Sequence, residues 1–179
     1  EGKSTLSSNL AISLAKLQKK ILLIDADMRK PKLHRIFNAK NSFGLSDILL
    51  DSGIEKAIVG ISGLNLDFIP AGTIPPNPSE LLGSKAFSDL ISEFEKIYDY
   101  IIIDTPPILV VSDALTLSGT VAGVLLSSMY KKTSYADFNK VLASLELAKF
   151  HVLGNVIVGT KEHRKSRYRH WKKRNRRSY

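Results

Sequence analysis

The stretch Ile21-Leu22-Leu23-Ile24-Asp25-Ala26-Asp27 decides the fold, because it is a short apolar run that ends in carboxylates. Four consecutive apolar residues without polar alternation are typical of a strand that is buried on both faces of a parallel sheet. A second run of this kind, Tyr100-Ile101-Ile102-Ile103, ends in Asp104. Ligands of parallel α/β sheets bind at the carboxyl ends of the strands. Both strand ends are therefore expected to lie at a functional site.

Helical and strand patterns alternate outward from these two runs. Leu6, Leu10, Leu14 and Leu17 recur at helical spacing and predict an amphipathic helix over residues 4–19. Ser79 follows a proline-rich loop and is predicted to cap a helix that begins at Glu80. The remaining predicted helices cover 44–60 with a break at Gly53, 85–97 and 134–148, and the remaining predicted strands cover 64–69, 121–127 and 152–158. This alternation predicts an α/β fold in which helices flank a parallel sheet on both faces.

Composition and charge divide the 179 residues into two parts. Residues 161–179 contain ten Lys or Arg and one Glu, whereas residues 1–160 contain sixteen basic and sixteen acidic residues. We therefore predict a neutral folded domain at 1–160 and a basic, flexible tail at 161–179. Such a tail attracts phosphate groups or is simply solvated, and the sequence leaves both interpretations open. The absence of cysteine excludes disulfides and thiolate metal sites.

The sequence begins Glu1-Gly2-Lys3-Ser4-Thr5, at the start of the first predicted helix. This is the second half of a phosphate-binding loop, in which the lysine reaches the outer phosphates and the hydroxyl binds Mg²⁺. Asp25, Asp27 and Asp104 are carboxylates of the kind that holds Mg²⁺ or accepts a proton from an attacking hydroxyl. Asp25 and Asp27 are two residues apart, so within a strand both would point to one face. Each element alone has an ordinary alternative, such as a capping Asp; their order together indicates nucleotide-dependent phosphoryl chemistry.

Several longer segments make a resemblance specific. They are Asp25 to Pro31, Gly44 to Leu49, Pro70 to Leu82 with its Pro-Pro-Asn-Pro-Ser-Glu-Leu-Leu run, and Tyr98 to Pro107. These segments resemble the bacterial tyrosine kinases of capsule and exopolysaccharide synthesis, which belong to the deviant P-loop ATPases. The proline-rich run discriminates most, because the related partitioning ATPases do not normally carry it. The resemblance covers roughly residues 1–160.

The resemblance implies a role for each residue of the site. ATP and Mg²⁺ would be bound, with Gly2 and Lys3 at the phosphates, Ser4 as a metal ligand and Thr5 near the α-phosphate. Asp25 would be the metal-linked carboxylate that activates the tyrosine hydroxyl, with Asp27 assisting it. Asp104 would be the Walker B metal partner. The phosphate acceptors would be tyrosines near the C-terminus, for which this chain offers Tyr168 and Tyr179.

The resemblance also implies partners and a location. Kinases of this family act at the inner face of the plasma membrane, beside a transmembrane activator or a fused membrane domain that regulates polysaccharide chain length. They phosphorylate one another within a homo-oligomer, and binding of nucleic acid is not expected. Two alternatives remain at this point: a P-loop switch ATPase that positions a partner, or an inactive adaptor that keeps the fold.

Three departures from the family pattern bear on activity. The family often shows several tyrosines close together near the C-terminus, but Tyr168 and Tyr179 are the only tyrosines after Tyr135, and they are either phosphate acceptors or incidental tail residues. The first half of the phosphate-binding loop and the strand before it would precede Glu1, so we expect the 179 residues alone to fold poorly or to bind ATP weakly. Val158 stands where the family often has an asparagine near the nucleotide base. Valine cannot make that hydrogen bond, which weakens the expectation of adenine recognition.

Overall fold

The computed structural model describes residues 2–50 and 53–160. Its strands are β1 (Ile21–Asp25), β2 (Val59–Gly60), β3 (Leu66–Ile69), β4 (Tyr100–Asp104), β5 (Val124–Met129) and β6 (Val152–Val158). Its α-helices are α1 (Lys3–Lys16), α2 (Leu33–Ile36), α3 (Leu45–Leu50), α4 (Ile54–Ala57), α5 (Pro78–Leu82), α6 (Lys85–Glu95) and α7 (Tyr135–Leu147). A short 3₁₀ helix, η1, covers Asp113–Leu117. No helix in these ranges is long and apolar enough to cross a membrane.

The main sheet has the order β2-β3-β1-β4. Strand β1 is parallel to both of its neighbours, β3 and β4, which confirms the predicted parallel sheet. The short edge strand β2 is antiparallel to β3 and lies in a segment that we predicted as helix. Strands β5 and β6 pair in parallel with each other but form a separate two-stranded sheet.

Strand β1 is fully buried, and its side chains alternate between two apolar clusters. Leu22 and Ile24 pack in one cluster with residues of α6, including Phe87 and Phe94. Ile21 and Leu23 pack in the other cluster, which contains residues of α1. Helices therefore cover both faces of the main sheet, as the uninterrupted apolar run predicted.

Helix α1 buries a different face from the one that we predicted. Its buried residues are Ser8, Ala11 and Ala15, and the helix ends at Lys16. The predicted leucine stripe is only partly buried, and Leu17 lies beyond the helix with 71% of its surface exposed. Small side chains allow the helix backbone to approach the sheet closely, which a leucine stripe would prevent.

The predicted cap at Ser79 is also wrong. Helix α5 begins at Pro78, with Asn77 as its N-cap. Proline suits the first turn of a helix because its missing N–H would have no partner there. The Ser79 hydroxyl instead donates a hydrogen bond to Asp113 Oδ1 in η1. The Ser79 side chain therefore links α5 to η1 and does not cap a helix.

The N-terminus of α3 packs closely against the segment that follows β3. We call this contact, which is centred on Gly44, the glycine joint. The backbone N–H groups of Leu45 and Ser46 donate to the carbonyls of Pro70 and Ala71 at 2.8 and 3.0 Å. A Cβ atom at Gly44 would lie 2.1 Å from the Pro70 carbonyl oxygen, so glycine is required there. The joint fixes the start of the proline-rich segment.

The sheet formed by β5 and β6 is more exposed than the apolar patterns predicted. Side chains alternate between partly buried and exposed along β6. Leu153 and Ile157 of β6 are 64% and 56% exposed, and Leu125 of β5 is 39% exposed. The prediction of apolar strands at these places is confirmed, but their burial on both faces is wrong for the residues that the structure describes.

Candidate functional site

The N-terminus of α1 forms one side of the candidate site. Gly2 is the N-cap and has a left-handed backbone with φ of 73°. A Cβ atom there would lie 3.0 Å from Val158 Cγ2 at the end of β6, so the position suits glycine on both counts. Lys3 is the first helical residue, and Ser4 and Thr5 follow in the first turn. The free N–H groups of a helix start favour a bound anion.

The two predicted acid-bearing strands end side by side. Asp25 and Asp104 are paired in register as the last residues of β1 and β4. Asp25 is fully buried and Asp104 is 2% exposed. The Ser7 hydroxyl, one turn along α1 from Lys3, donates to Asp104 Oδ1 at 3.0 Å. The structure thus brings the helix start and both carboxylates together.

Backbone groups hold the Asp25 carboxylate in place. Its Oδ1 accepts from the Asp27 N–H at 3.2 Å, and its Oδ2 accepts from the N–H groups of Lys32 and Leu33 at 3.2 and 3.0 Å. Burial nevertheless raises the pKa of Asp25 to about 7, and the neighbouring charge of Asp104 adds to the rise. The carboxyl is therefore suited to exchange a proton near neutral pH.

Asp27 differs in position from the prediction that it shares a strand face with Asp25. Strand β1 ends at Asp25, and Asp27 lies in the following loop. Its Oδ1 accepts a hydrogen bond from the Lys30 N–H at 3.0 Å. Its charge acts on Asp104 and raises the pKa of that group. Asp27 therefore belongs to the same acidic cluster through a turn and not through strand alternation.

Asp104 has the features of a metal partner. Burial raises its pKa, while hydrogen bonds from Ser4 and Ser7 and the nearby charge of Lys3 act in the opposite direction. Its Oδ2 is buried and has no hydrogen-bond partner among the residues that the structure describes. Buried polar atoms are normally paired, so this oxygen is suited to an external cation or its water. Hard oxygen ligands of this kind fit Mg²⁺.

The described side chains alone do not form a complete metal cage. Across residues 2–50 and 53–160, no group of three or more His, Cys, Asp or Glu side chains is arranged to hold a metal ion. Mg²⁺ commonly binds through one or two carboxylates and keeps the rest of its ligands from phosphate oxygens and water. The arrangement of Ser4, Asp25 and Asp104 therefore fits a metal that arrives with a nucleotide.

A cavity of about 330 Å³ adjoins the start of α1. Gly2, Thr5 and Asn9 line it from the helix, and Met129 and Val158 line it from the ends of β5 and β6. It is large enough for part of a small ligand whose phosphates lie at the helix start. Its strand side offers apolar side chains, as the valine at position 158 led us to expect.

Two parts of the site are not indicated by local sequence patterns. Ser7 gave no motif signal, although a residue three or four positions after Lys3 and Ser4 shares their helix face. The second part is an ion pair between Arg29 and Asp113, at 2.7 Å, which links the loop after β1 to η1. Nothing in the local sequence around Asp113 indicates that partner. Tyr168 and Tyr179 lie outside the described residues.

Sequence comparisons place the chain among known proteins. Residues 1–152 match the AAA domain family. The chain is 42% identical over 169 residues to the tyrosine-protein kinase YwqD of Bacillus subtilis, covering 94% of this chain and 71% of that protein. It is 33% identical over 168 residues to a putative tyrosine-protein kinase in the cps region of Klebsiella pneumoniae, covering 93% of this chain but 23% of that protein.

Solved structures show the same relationship. The kinase domain of the Escherichia coli tyrosine kinase ETK superposes with a TM-score of 0.86 at 33% identity, covering 92% of this chain and 65% of that domain. The septum site-determining protein MinD of Pyrococcus horikoshii, complexed with Mg-ADP, superposes with a TM-score of 0.72 at 24% identity, covering 90% of this chain and 67% of that protein. At that identity the MinD likeness shows the fold alone.

Proposed function

The chain belongs to the bacterial tyrosine kinases within the AAA domain family, and on that basis we propose that it transfers the terminal phosphoryl group of ATP to tyrosine hydroxyls. The observation that supports this most is the meeting of the α1 start with the Asp25 and Asp104 carboxylates at one edge of the sheet. Phosphoryl transfer depends mainly on positioning and charge stabilisation, which this arrangement can supply.

In the proposed reaction, the Lys3 ammonium and the α1 N–H groups bind the β- and γ-phosphates. Ser4, Asp25 and Asp104 would hold Mg²⁺, which neutralises phosphate charge when it is bound. The Asp25 carboxylate, with Asp27 nearby, accepts the proton of the tyrosine hydroxyl. The tyrosine oxygen then forms a bond to the γ-phosphorus as the bond to the β-phosphate oxygen breaks, and ADP leaves.

We also assign the nucleotide base to the cavity between α1 and the ends of β5 and β6. The cavity adjoins Thr5, which would lie near the α-phosphate. The contacts offered by Met129 and Val158 are apolar, so they support stacking or packing but not hydrogen-bond recognition of adenine.

The acceptors that we propose are Tyr168 and Tyr179 in the basic tail at 161–179, phosphorylated by a neighbouring copy in a homo-oligomer. We further propose that the kinase regulates capsule or exopolysaccharide synthesis beside a transmembrane activator at the inner face of the plasma membrane. The relative from Klebsiella pneumoniae is a putative tyrosine-protein kinase in the cps region, which supports this role.

The test is to incubate the full-length protein with ATP and Mg²⁺ and to map phosphotyrosine by mass spectrometry. We expect phosphate on Tyr168 and Tyr179 and a loss of signal of at least roughly 100-fold in Lys3→Met and Asp25→Ala. Lys16→Met and Asp89→Ala are matched controls, because both residues are exposed and lie away from the site. Full activity in Lys3→Met and Asp25→Ala would refute the site assignment.

The same experiment separates the two alternatives. A switch ATPase would hydrolyse ATP without forming phosphotyrosine, and an inactive adaptor would do neither. Mixing Lys3→Met protein with an active copy that lacks residues 161–179 tests the oligomer. Phosphate on the Lys3→Met tail is expected if one copy phosphorylates another.

A further inference from the structure

A bidentate ion pair joins the loop after β1 to the segment that follows β4. Arg29 Nε donates to Asp113 Oδ2 at 2.7 Å, and Arg29 Nη2 donates to Asp113 Oδ1 at 3.0 Å. Asp113 is fully buried, while the Arg29 side chain is 44% exposed. The Ser79 hydroxyl of α5 donates to the same carboxylate. Removing one partner of such a pair would leave an uncompensated buried charge, which is strongly destabilising.

The loop that carries Arg29 also supplies the donors that hold the catalytic carboxylates. The N–H groups of Lys32 and Leu33 bind Asp25, and the N–H of Lys30 binds Asp27. Arg29 lies between Asp27 and these donors in the sequence. Displacement of the Arg29 side chain would therefore free the loop on which the orientation of both carboxylates depends.

Asp113, the other partner of the ion pair, is connected through the chain to the end of β4. Asp113 follows Asp104 by nine residues, and Asp104 is paired in register with Asp25. The chain thus forms a closed ring that runs from Asp25 through the loop to Arg29, across to Asp113, and back through Asp104. A ring of this kind fixes two acidic strand ends more firmly than either loop would alone.

We propose that Asp113 is a positioning residue for phosphoryl transfer: with Arg29 and Ser79 it clamps the loop that orients Asp25 and Asp27. The inference rests on the proposed function. None of the three clamp residues lines the cavity beside α1. The clamp would therefore act through the orientation of Asp25 and Asp27 and not through contact with the nucleotide base.

The kinetic test compares Asp113→Asn and Arg29→Gln with the unsubstituted full-length protein. Displacement of reacting groups by about 1 Å can lower a rate by roughly 100-fold. We expect kcat for phosphotyrosine formation to fall by about 10- to 100-fold, and we expect any change in KM for ATP to be smaller than the change in kcat. Arg29→Lys keeps the charge but loses the bidentate geometry, so it should restore only part of kcat. Asp89→Asn, which breaks the exposed Lys85–Asp89 pair, is the matched control and should leave kcat unchanged.

A second measurement follows the mobility of the loop after β1 and needs no nucleotide. Hydrogen exchange of the peptide that contains the Lys30, Lys32 and Leu33 amides should accelerate in Asp113→Asn, while peptides from β3 keep their protection. Ser79→Ala removes one hydrogen-bond donor to Asp113, and it replaces Asp113→Asn in both measurements if that variant fails to fold. Unchanged kcat or unchanged loop exchange in the folded variants overturns the proposal, and so does faster exchange throughout the core.

The two measurements also separate this inference from the proposed function. If the unsubstituted protein forms no phosphotyrosine, the kinase proposal fails and the positioning role fails with it. The exchange comparison then still decides whether Asp113 holds the loop. If the kinase is active and the variants differ from it only in KM, the clamp alone is refuted.

Discussion

At the residue scale, Asp25 and Asp104 make the free energy of unfolding of the nucleotide-free protein depend on pH. Burial raises the pKa of both groups above the value of 3.8 that applies to the unfolded chain. A raised pKa favours the folded state when the carboxyl is protonated, and this contribution is lost as the pH rises. For Asp25 the loss extends from about pH 4 to its folded pKa of about 7.

We therefore expect the free energy of unfolding of the metal-free protein to fall as the pH is raised from 5 to 8. Chemical denaturation at several pH values measures it. Asp25→Asn should flatten this dependence, whereas Asp89→Asn, an exposed change, should leave it intact. MgATP should weaken the dependence in the unsubstituted protein, because positive charge favours the ionised carboxyls. A stability that rises between pH 5 and 8 would contradict the assignment.

Residues in recognisable local patterns could be predicted from the sequence, and residues paired over long distances could not. Lys3, Ser4, Asp25 and Asp104 stand next to predicted helix starts or strand ends, so topology alone indicated that they meet. The Arg29–Asp113 pair spans 84 positions and depends on how η1 packs, which no local pattern records. The same holds for Ser79, whose local context favoured a helix cap.

At the scale of elements, the glycine joint between α3 and the segment after β3 is a sensitive point. Gly44→Ala would place a Cβ atom 2.1 Å from the Pro70 carbonyl oxygen and 2.5 Å from the Gly72 nitrogen. Both neighbours are backbone and cannot move away separately, so we expect a loss of more than about 3 kcal/mol in unfolding free energy. Gly119→Ala meets nothing within 4 Å and is the matched control in urea titrations. A change below about 1 kcal/mol in Gly44→Ala would contradict this account of the joint.

The element predictions failed where small residues or edges decide the packing. Helix α1 was predicted with the right type and nearly the right length, but its buried face consists of Ala and Ser because close packing outweighs hydrophobic periodicity. Strand β2 has only two residues, too few for a strand pattern. Strands β1 and β4 lie where the sequence predicted them, because an uninterrupted apolar run has few other solutions in an α/β domain. Only β1 is fully buried, however, and β4 is partly exposed.

At the scale of the whole molecule, the two sheets should differ in local stability. Strand β1 is fully buried between two helical layers, whereas β6 exposes every second residue. We expect the amides of β5 and β6 to exchange with solvent well before those of β1 and β3, since few buried apolar contacts hold the smaller sheet. Hydrogen exchange with peptide resolution measures this difference. Equal protection of both sheets would mean that they unfold as one unit.

The outer edge of β4 offers a place for a further strand in the described part of the chain. This strand ends the main sheet of the described chain, and three successive isoleucines lie along it. An edge rich in β-branched residues exposes unpaired N–H and C=O groups on which an extended segment of another molecule can add. The described edge of β4 is therefore a place where a further strand can add, and protection of the β4 amides from hydrogen exchange should increase when one does.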